Sequence, residues 1–264
     1  MIPSKGLPKG SPSRHLFAHW SGVAKRLRAA RHVLLIMDFD GTLVPLRARP
    51  EIPMTDDAVR RLLARLANSH RATLYIISGR RRDDVRQRVR VPKIRYLGLH
   101  GWEGRLNNSS DGAGHQLLRQ VKQQLATRLV DLPAVWIEDK KHVLSVHFRG
   151  SSPATMRRAH RIVKELIKPS EGLLRIVTGK KVWEVIPREI RGKGYAARAI
   201  LERCPEKTVP ICVGDDATDE AAFKALRRGV TIRVGKHRRT LARYTLRNPA
   251  EVREFLERLE TVIQ

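Results

Sequence analysis

An apolar run followed at once by two aspartates constrains this chain more than any other feature. The run is Val33-Leu34-Leu35-Ile36-Met37, and Asp38-Phe39-Asp40-Gly41-Thr42 comes directly after it. Because the run is short, aliphatic and followed by charge and glycine, it predicts a buried strand of a parallel sheet. In open α/β sheets the chemistry lies just beyond the carboxyl ends of such strands.

Two carboxylates one residue apart repel each other unless a cation lies between them or one of them stays protonated. The pair formed by Asp38 and Asp40 is therefore a candidate for Mg²⁺ binding and for an aspartate nucleophile. The alternative is an acidic turn between a strand and a loop, without chemistry.

Length and composition exclude several classes of protein. A chain of 264 residues suits one domain with an insertion, or two small domains. No stretch approaches the roughly 18 apolar residues of a membrane span. Residues 1–31 contain no continuous apolar leader, so we expect a cytoplasmic location and no membrane association. Cys204 and Cys212 lack the spacing of metal ligands.

The chain is strongly basic, with a formal net charge of +27 and a pI near 11.3. The charge is clustered, because Met1 to Met37 and Arg227 to Arg247 contain basic residues and no carboxylate. Such a field favours anionic partners, either phosphorylated metabolites or nucleic acid. The sequence contains no recognised nucleic-acid motif, so we expect no specific nucleic-acid partner. Solvated basic helix faces are the alternative explanation.

Hydrophobic patterning predicts an α/β protein with an insertion. Residues 1–14 are rich in Pro, Gly, Ser and Lys and are expected to be a disordered basic tail. Strands and helices then alternate, which predicts a parallel sheet with right-handed crossovers. The predicted elements here are a helix at 16–31, a strand at 33–37, a helix at 55–69, and strands at 73–77 and 95–99.

The pattern changes at the polar loop 107–114. The next segments read as helix 116–130, hairpin 134–148, helix 153–167 and hairpin 174–186, which is an α+β unit. The α/β alternation then returns, with helices expected at 194–203, 220–227 and from 249 onward. We therefore predict a core domain of residues 15–106 and 188–264 and an inserted α+β domain of residues 107–187.

Other strand ends and loops carry residues suited to phosphoryl transfer. A carboxylate is already anionic at neutral pH, so Asp38 is the predicted nucleophile. Asp40 is the predicted acid for the leaving oxygen and then the base for water. Ser78 and Gly79 follow a predicted strand, and a hydroxyl and a backbone N–H at such a position can hold a phosphate oxygen. The alternative is an ordinary turn, which often has the same sequence.

Two later segments complete the candidate site. Lys193 lies between glycines just before a predicted helix, where an ammonium group can offset the charge on phosphoryl oxygens. The alternative is an ordinary lysine of a surface loop. Gly214 to Glu220 again places adjacent carboxylates after an apolar strand. This arrangement favours Mg²⁺, which takes one or two carboxylates plus phosphate and water. N-capping of a following helix explains Thr218 and Asp219, but in this interpretation it does not explain Asp215 and Asp216.

The order of these motifs resembles that of the haloacid-dehalogenase-like phosphatases: Asp-x-Asp-x-Thr, Ser-Gly, Lys, then Gly-Asp-Asp-x-x-Asp. The α+β insert is similar to the type 2 cap of that superfamily. The resemblance implies an α/β fold with a Rossmann-like parallel-sheet core and an inserted α+β cap domain. It also implies that Asp38, Asp215 and the Asp40 carbonyl hold Mg²⁺.

Further segments resemble trehalose-6-phosphate phosphatases over nearly all of residues 31–260. They are Gly98 to Glu103, Glu138-Asp139-Lys140, His147-Phe148-Arg149, Glu184 before Pro187, and the long form GDDATDEAAF. The resemblance implies that cap residues contact the disaccharide and that core residues contact the phosphate. The candidate substrate-binding residues are Thr42, Gly79, Arg80, His100, Gly101, Glu103, Glu138, Lys140, His147, Arg149, Glu184, Asp216 and Asp219.

The expected activity is Mg²⁺-dependent hydrolysis of trehalose 6-phosphate through an aspartyl-phosphate. The chain contains no glucosyltransferase region, so a separate trehalose-phosphate synthase is the expected source of the substrate. One alternative is another sugar phosphatase of the same superfamily, acting on sucrose-, mannosyl- or hexose-phosphates. A second alternative is a nucleic-acid-binding protein that retains the fold.

Overall fold

A computed structural model describes most of the chain, and the predicted tail lies almost wholly outside the described residues. Its last member, Arg14, is described and forms a strand rather than disordered backbone. The first part of the predicted polar loop also lies outside the described residues. The described ranges are 14–46, 55–104, 112–179, 181–236 and 239–264.

The chain divides into two compact units. Residues 1–104 and 192–264 form one unit, here called the core domain, and residues 105–191 form the other, here called the cap domain. The predicted fold class, a parallel α/β core interrupted by an α+β cap, is confirmed. None of the helices formed by the described residues is long and apolar enough to cross a membrane.

A parallel sheet runs through the core domain. Its strands, in a numbering shared with the cap domain, are β1 (Arg14–His15), β2 (His32–Met37), β3 (Ala72–Ile77), β4 (Arg95–Leu97), β9 (Thr208–Gly214), β10 (Val230–Val234) and β11 (Tyr244–Leu246). The strand order is β1-β11-β10-β9-β2-β3-β4, so the predicted strand 33–37 is β2 and lies between β9 and β3.

Helices cover both faces of this sheet, which is why β2 is apolar from Val33 to Met37. The helices are α1 (Trp20–Arg28), α2 (Asp57–Asn68), α3 (Arg82–Val89), α6 (Lys193–Leu201), α7 (Ala217–Ala225) and α8 (Pro249–Ile263). Val33, Leu35 and Met37 pack on one side with α1, α2, α3 and α8, and Leu34 and Ile36 pack on the other side with α6 and α7.

Several core elements differ from the sequence-based expectation. The predicted helix 16–31 is a 3₁₀ turn, Leu16–His19, followed by α1. Helix α3 was not predicted, because its segment is dominated by charge; only Val85 and Val89, spaced i,i+4, mark a buried stripe. Strands β1 and β11 are two and three residues long, too short to show a period.

The cap domain is an antiparallel sheet with two helices on one face. The cap elements are α4 (Ala113–Leu129), β5 (Trp136–Asp139), β6 (Leu144–His147), α5 (Pro153–Ile167), a 3₁₀ turn (Lys168–Ser170), β7 (Leu174–Gly179) and β8 (Val182–Pro187). The strand order is β5-β6-β8-β7, and Val146, Trp183 and Val185 pack against the helices. Helix α4 begins inside the predicted polar loop.

Candidate active site

The carboxyl ends of β2 and β9 bring the two aspartate motifs together. The strands are hydrogen-bonded neighbours, and the backbone N–H of Asp38 donates to the Val213 carbonyl (2.9 Å). Gly41 lies in the loop after β2 with a left-handed φ of +81°. A Cβ atom added there would lie 2.2 Å from a carboxylate oxygen of Asp215, so the loop passes too close to Asp215 for any side chain.

Three buried carboxylates converge at this edge of the sheet. Ligand atoms of Asp38, Asp215 and Asp219 lie within 4.8 Å of one another, and each residue is at most 7 % exposed. The ammonium group of Lys193, at the first residue of α6, donates to Asp38 Oδ1 (2.7 Å) and to Asp219 Oδ1 (2.8 Å). One ammonium group offsets only part of the charge of three carboxylates, so the group has the chemistry of a site for a hard cation.

Burial and charge shift the proton affinities of this cluster. Desolvation raises the pKa of Asp38 well above its usual range, and the neighbouring carboxylates of Asp219 and Asp215 raise it further, while Lys193 acts against them. Burial alone would lower the pKa of Lys193, but the carboxylates of Asp219 and Asp38 outweigh it and raise this pKa. Lys193 therefore stays charged beside Asp38.

Helix capping arranges the loop after β9. Asp216 is the N-cap of α7, and its carboxylate accepts from the Ala217 N–H (2.7 Å). Asp219 Oδ2 accepts from the N–H groups of Asp215 (3.0 Å) and Asp216 (2.9 Å), which completes a capping box. The interpretation that N-capping does not explain Asp216 is therefore wrong. For the same reason α7 begins at Ala217, three residues before the predicted start at 220.

The carboxylate of Asp40 lies outside the buried triad and pairs with Arg80. The guanidinium donates to Asp40 through Nε (2.6 Å) and Nη2 (2.8 Å), which is a two-point contact. Its third nitrogen reaches Asp84 Oδ2 at 3.2 Å. Both Asp40 and Arg80 are partly exposed, whereas the three carboxylates of the triad are buried.

The segment after β3 packs tightly around Ser78. The Ser78 hydroxyl is buried and accepts from the Arg80 N–H (3.1 Å), and the Ser78 carbonyl accepts from the His100 N–H (2.8 Å). His100 has a left-handed φ of +59°, and its imidazole lies against Gly79, where an added Cβ would be 2.9 Å from the ring. Gly101, with φ +97°, leaves no room for a Cβ beside Ala196 of α6.

Two other predicted core residues have different environments. Glu103 Oε2 accepts from the Arg82 N–H (2.6 Å) at the first residue of α3, so its carboxylate caps that helix. Thr42 is fully buried, and its hydroxyl has no hydrogen-bond partner among the residues that the structure describes. A buried hydroxyl of this kind, in the loop after β2, can form a hydrogen bond with a bound ligand that carries a donor or an acceptor.

Polar side chains form a row across the face of the cap sheet that points away from α4 and α5. Ser145 of β6 is the cross-strand partner of both Glu138 in β5 and Glu184 in β8. Glu184 Oε1 accepts from Lys140 Nζ (3.0 Å) and from the Ser145 hydroxyl (3.2 Å). Lys140 Nζ also lies 3.9 Å from Glu138 Oε2. The three predicted residues Glu138, Lys140 and Glu184 thus form one charged group.

The row continues to the edge of the cap sheet. His147 Nε2 lies 2.9 Å from Glu138 Oε2, and the His147 ring stacks on Trp136, with centroids 3.9 Å apart. Arg149, two residues beyond β6, is exposed. Sequence reasoning missed Ser145 and Trp136, although the alternation along β5 and β6 places both on the face that carries Glu138.

Comparison with known proteins gives consistent matches. A family model described as trehalose-phosphatase matches residues 36–250. A probable trehalose-phosphate phosphatase of rice (Oryza sativa subsp. japonica) is 33 % identical over 88 % of this chain and 69 % of its own length. A trehalose-phosphate phosphatase of Mycobacterium leprae is 33 % identical over 87 % of this chain, which spans 58 % of that protein. The fold is similar to the C-terminal domain of Candida albicans trehalose-6-phosphate phosphatase (TM-score 0.82, 21 % identity, 97 % and 99 % of the two chains).

Proposed function

The chain belongs to the trehalose-phosphatase family, and on this premise we propose that it hydrolyses trehalose 6-phosphate to trehalose and phosphate. The observation that carries the proposal is the buried cluster of Asp38, Asp215, Asp219 and Lys193 at the carboxyl edge of the core sheet. It combines a nucleophile, a cation site and a fixed positive charge within a few ångströms. These are the requirements of phosphoryl transfer to a carboxylate.

In the first step, a carboxylate oxygen of Asp38 attacks phosphorus and the bond from phosphorus to the sugar oxygen breaks. Asp40 donates a proton to the departing oxygen. The ammonium group of Lys193, 2.7 Å from Asp38, lies where it stabilises negative charge on the phosphoryl oxygens. The products of this step are trehalose and an aspartyl-phosphate at Asp38.

In the second step, Asp40 removes a proton from water, which attacks phosphorus and regenerates the Asp38 carboxylate. Arg80 occupies both oxygens of Asp40 in the structure. A two-point contact of this kind fixes the orientation of the Asp40 carboxylate, and each of its oxygens keeps a second lone pair that can accept a proton. We therefore assign Arg80 as a positioning residue for the acid–base step.

The donor set fits Mg²⁺, a hard cation with oxygen ligands. Asp38 and Asp215, with the Asp40 carbonyl, would hold it. When bound, the ion neutralises carboxylate and phosphate charge. Burial and neighbouring carboxylates disfavour the anionic form of Asp38 that attack requires, and a cation offsets this effect. Asp219 serves as a positioning residue, since its oxygens already accept from Lys193 and from the loop N–H groups.

The polar row of the cap domain supplies the recognition of the sugar. Sugar hydroxyls both donate and accept hydrogen bonds, so Glu138 and Glu184 as acceptors with Lys140 as donor can read several hydroxyls together. The core residues contact phosphate, which every sugar phosphate shares. Discrimination among sugars is therefore assigned to the cap residues.

A phosphate-release assay over a panel of sugar phosphates, with Mg²⁺, tests the proposal. We expect trehalose 6-phosphate to have a kcat/KM at least about tenfold above sucrose 6-phosphate, mannosyl phosphates and hexose phosphates, a difference of about 1.4 kcal/mol. Preference for another sugar phosphate would favour the rival phosphatase activity. Absence of phosphate release, with nucleic-acid binding that falls steeply with salt, would favour the nucleic-acid alternative.

A further inference from the structure

We propose that Trp136 is a specificity-determining residue, an aromatic surface on which a pyranose ring of the substrate stacks. The inference rests on the proposed function and extends it to a residue outside the charged row. Trp136 is the first residue of β5, which is an edge strand of the cap sheet. No hydrogen-bonded strand continues the sheet beyond β5 among the residues that the structure describes.

The position of Trp136 places its indole on the polar face. Side chains two residues apart along a strand share a face, so Trp136 lies on the same face as Glu138. Ile137, between them, packs into the hydrophobic core beneath the sheet. Trp136 is 45 % exposed, whereas Trp183 of the same domain is 4 % exposed. A large, partly exposed aromatic side chain therefore lies on the same face of the sheet as the Glu138 carboxylate.

Cross-strand packing fixes the orientation of this indole. His147 is the register partner of Trp136, and the two rings are stacked nearly parallel, with an interplanar angle of 11° and centroids 3.9 Å apart. His147 is in turn anchored by Glu138 Oε2 at 2.9 Å. The chain Glu138–His147–Trp136 thus holds the indole in one orientation before any ligand arrives, which lowers the entropy lost on binding.

A sugar ring matches this combination of surfaces. One face of a pyranose exposes C–H groups, and its rim carries hydroxyls. His147 covers one face of the indole, so the C–H face of a sugar would cover the opposite face and remove apolar area from water. Hydroxyls at the rim of the ring can then hydrogen-bond Glu138, which lies on the same face of the sheet. Binding sites for small molecules combine an apolar surface with a few polar groups in the same way.

A cross-strand pair can also serve the sheet alone, because stacked rings on neighbouring strands stabilise an edge. That role and the proposed one predict different results. A purely structural Trp136 affects the melting temperature and affects hydrolysis of all phosphates alike. A stacking residue affects the affinity for a sugar phosphate, and phenylalanine in its place restores part of that affinity.

The test uses Trp136→Leu and Trp136→Phe, with Leu173→Ala as the matched control, since Leu173 is another exposed apolar residue of the cap domain (41 %). The KM for trehalose 6-phosphate should rise at least about tenfold in Trp136→Leu, with kcat changed less than about threefold. Trp136→Phe should recover part of the loss, and Leu173→Ala should match the wild type. Any loss of kcat/KM with p-nitrophenyl phosphate should be at least about tenfold smaller than the loss of kcat/KM with the sugar phosphate.

A second readout is independent of turnover. In an Asp38→Asn background, titration with trehalose 6-phosphate should change the tryptophan fluorescence, and this change should be largely lost with Trp136→Phe. If the wild type releases no phosphate from trehalose 6-phosphate, the proposed function is wrong. The stacking role is wrong if the wild type is active but Trp136→Leu keeps its KM, or if Trp136→Leu loses kcat/KM equally for both substrates. The stacked pair of Trp136 and His147 would then be structural.

Discussion

Replacing Glu220 with alanine should lower the stability of the core domain by about 3–5 kcal/mol. Glu220 lies on α7 and is 9 % exposed. Its Oε1 accepts from Arg233 Nη1 (3.2 Å) and from the Thr240 hydroxyl (2.8 Å), and its Oε2 accepts from the Leu241 N–H (2.7 Å). The substitution leaves a buried guanidinium, a hydroxyl and an N–H without this acceptor. The cost exceeds that of one lost hydrogen bond because the buried guanidinium of Arg233 loses its carboxylate partner and keeps the Asp216 carbonyl as an acceptor.

Thermal denaturation followed by circular dichroism measures the effect. For a domain of this size, 1 kcal/mol shifts the midpoint by about 2–4 °C, so we expect a decrease of roughly 6–20 °C. Glu257→Ala is the matched control, because it removes an exposed carboxylate that pairs with Arg253 on α8 (3.0 Å). An exposed pair contributes about 0–1 kcal/mol.

Two further variants separate lost packing from stranded charge. Glu220→Gln keeps the volume and an acceptor oxygen, so its loss should be smaller than that of alanine. Replacing both residues, as in Glu220→Leu with Arg233→Met, should recover part of the stability, since the buried guanidinium is removed together with its carboxylate. If Glu220→Ala were no more destabilising than Glu257→Ala, the network of Glu220 would not be stabilising the core and the reasoning would fail.

Three other predictions concern catalysis. Asp38→Asn is nearly isosteric but removes the attacking anion, so kcat should fall at least about a hundredfold, or 2.7 kcal/mol, with the circular dichroism spectrum unchanged; a smaller loss would exclude an aspartyl-phosphate. Removing metal with EDTA should abolish phosphate release, and added Mg²⁺ should restore it, because Asp38 and Asp215 otherwise repel each other and the phosphate; undiminished turnover in metal-free enzyme would exclude this role. Glu138→Ala and Lys140→Ala should each lower kcat/KM for trehalose 6-phosphate at least about tenfold, and far more than for p-nitrophenyl phosphate. Equal losses on both substrates would assign these residues to cap folding.

The local sequence determined the longer strands and the placement of most of the predicted catalytic residues. The run before Asp38 is apolar at every position, which indicates a strand buried on both faces, and such a strand presents its next residues at the carboxyl edge of the sheet. The same logic places Asp215 after β9. These inferences succeed because a strand that is buried on both faces has apolar side chains at about five or six consecutive positions.

Tertiary structure decided which of these residues meet. Sequence spacing grouped Asp38 with Asp40, whereas the fold groups Asp38 with Asp215 and Asp219 and turns the Asp40 carboxylate toward Arg80. Asp216 proved to be a helix cap, because the first turn of α7 has orphan N–H groups that the nearest carboxylates satisfy. Such hydrogen-bond and ion-pair partners lie far apart in the chain or within a single helical turn, so the hydrophobic periodicity of the sequence does not reveal them.

In the cap domain too, the sequence shows some features and the tertiary structure decides others. Alternation along β5 and β6 is visible in the sequence and assigns each residue to one face of the sheet. The register between strands is not visible there, and it is the register that sets Ser145 between Glu138 and Glu184 and stacks Trp136 on His147. Pairing depends on the turns and on packing against α4 and α5, which act across the whole domain and not within one segment.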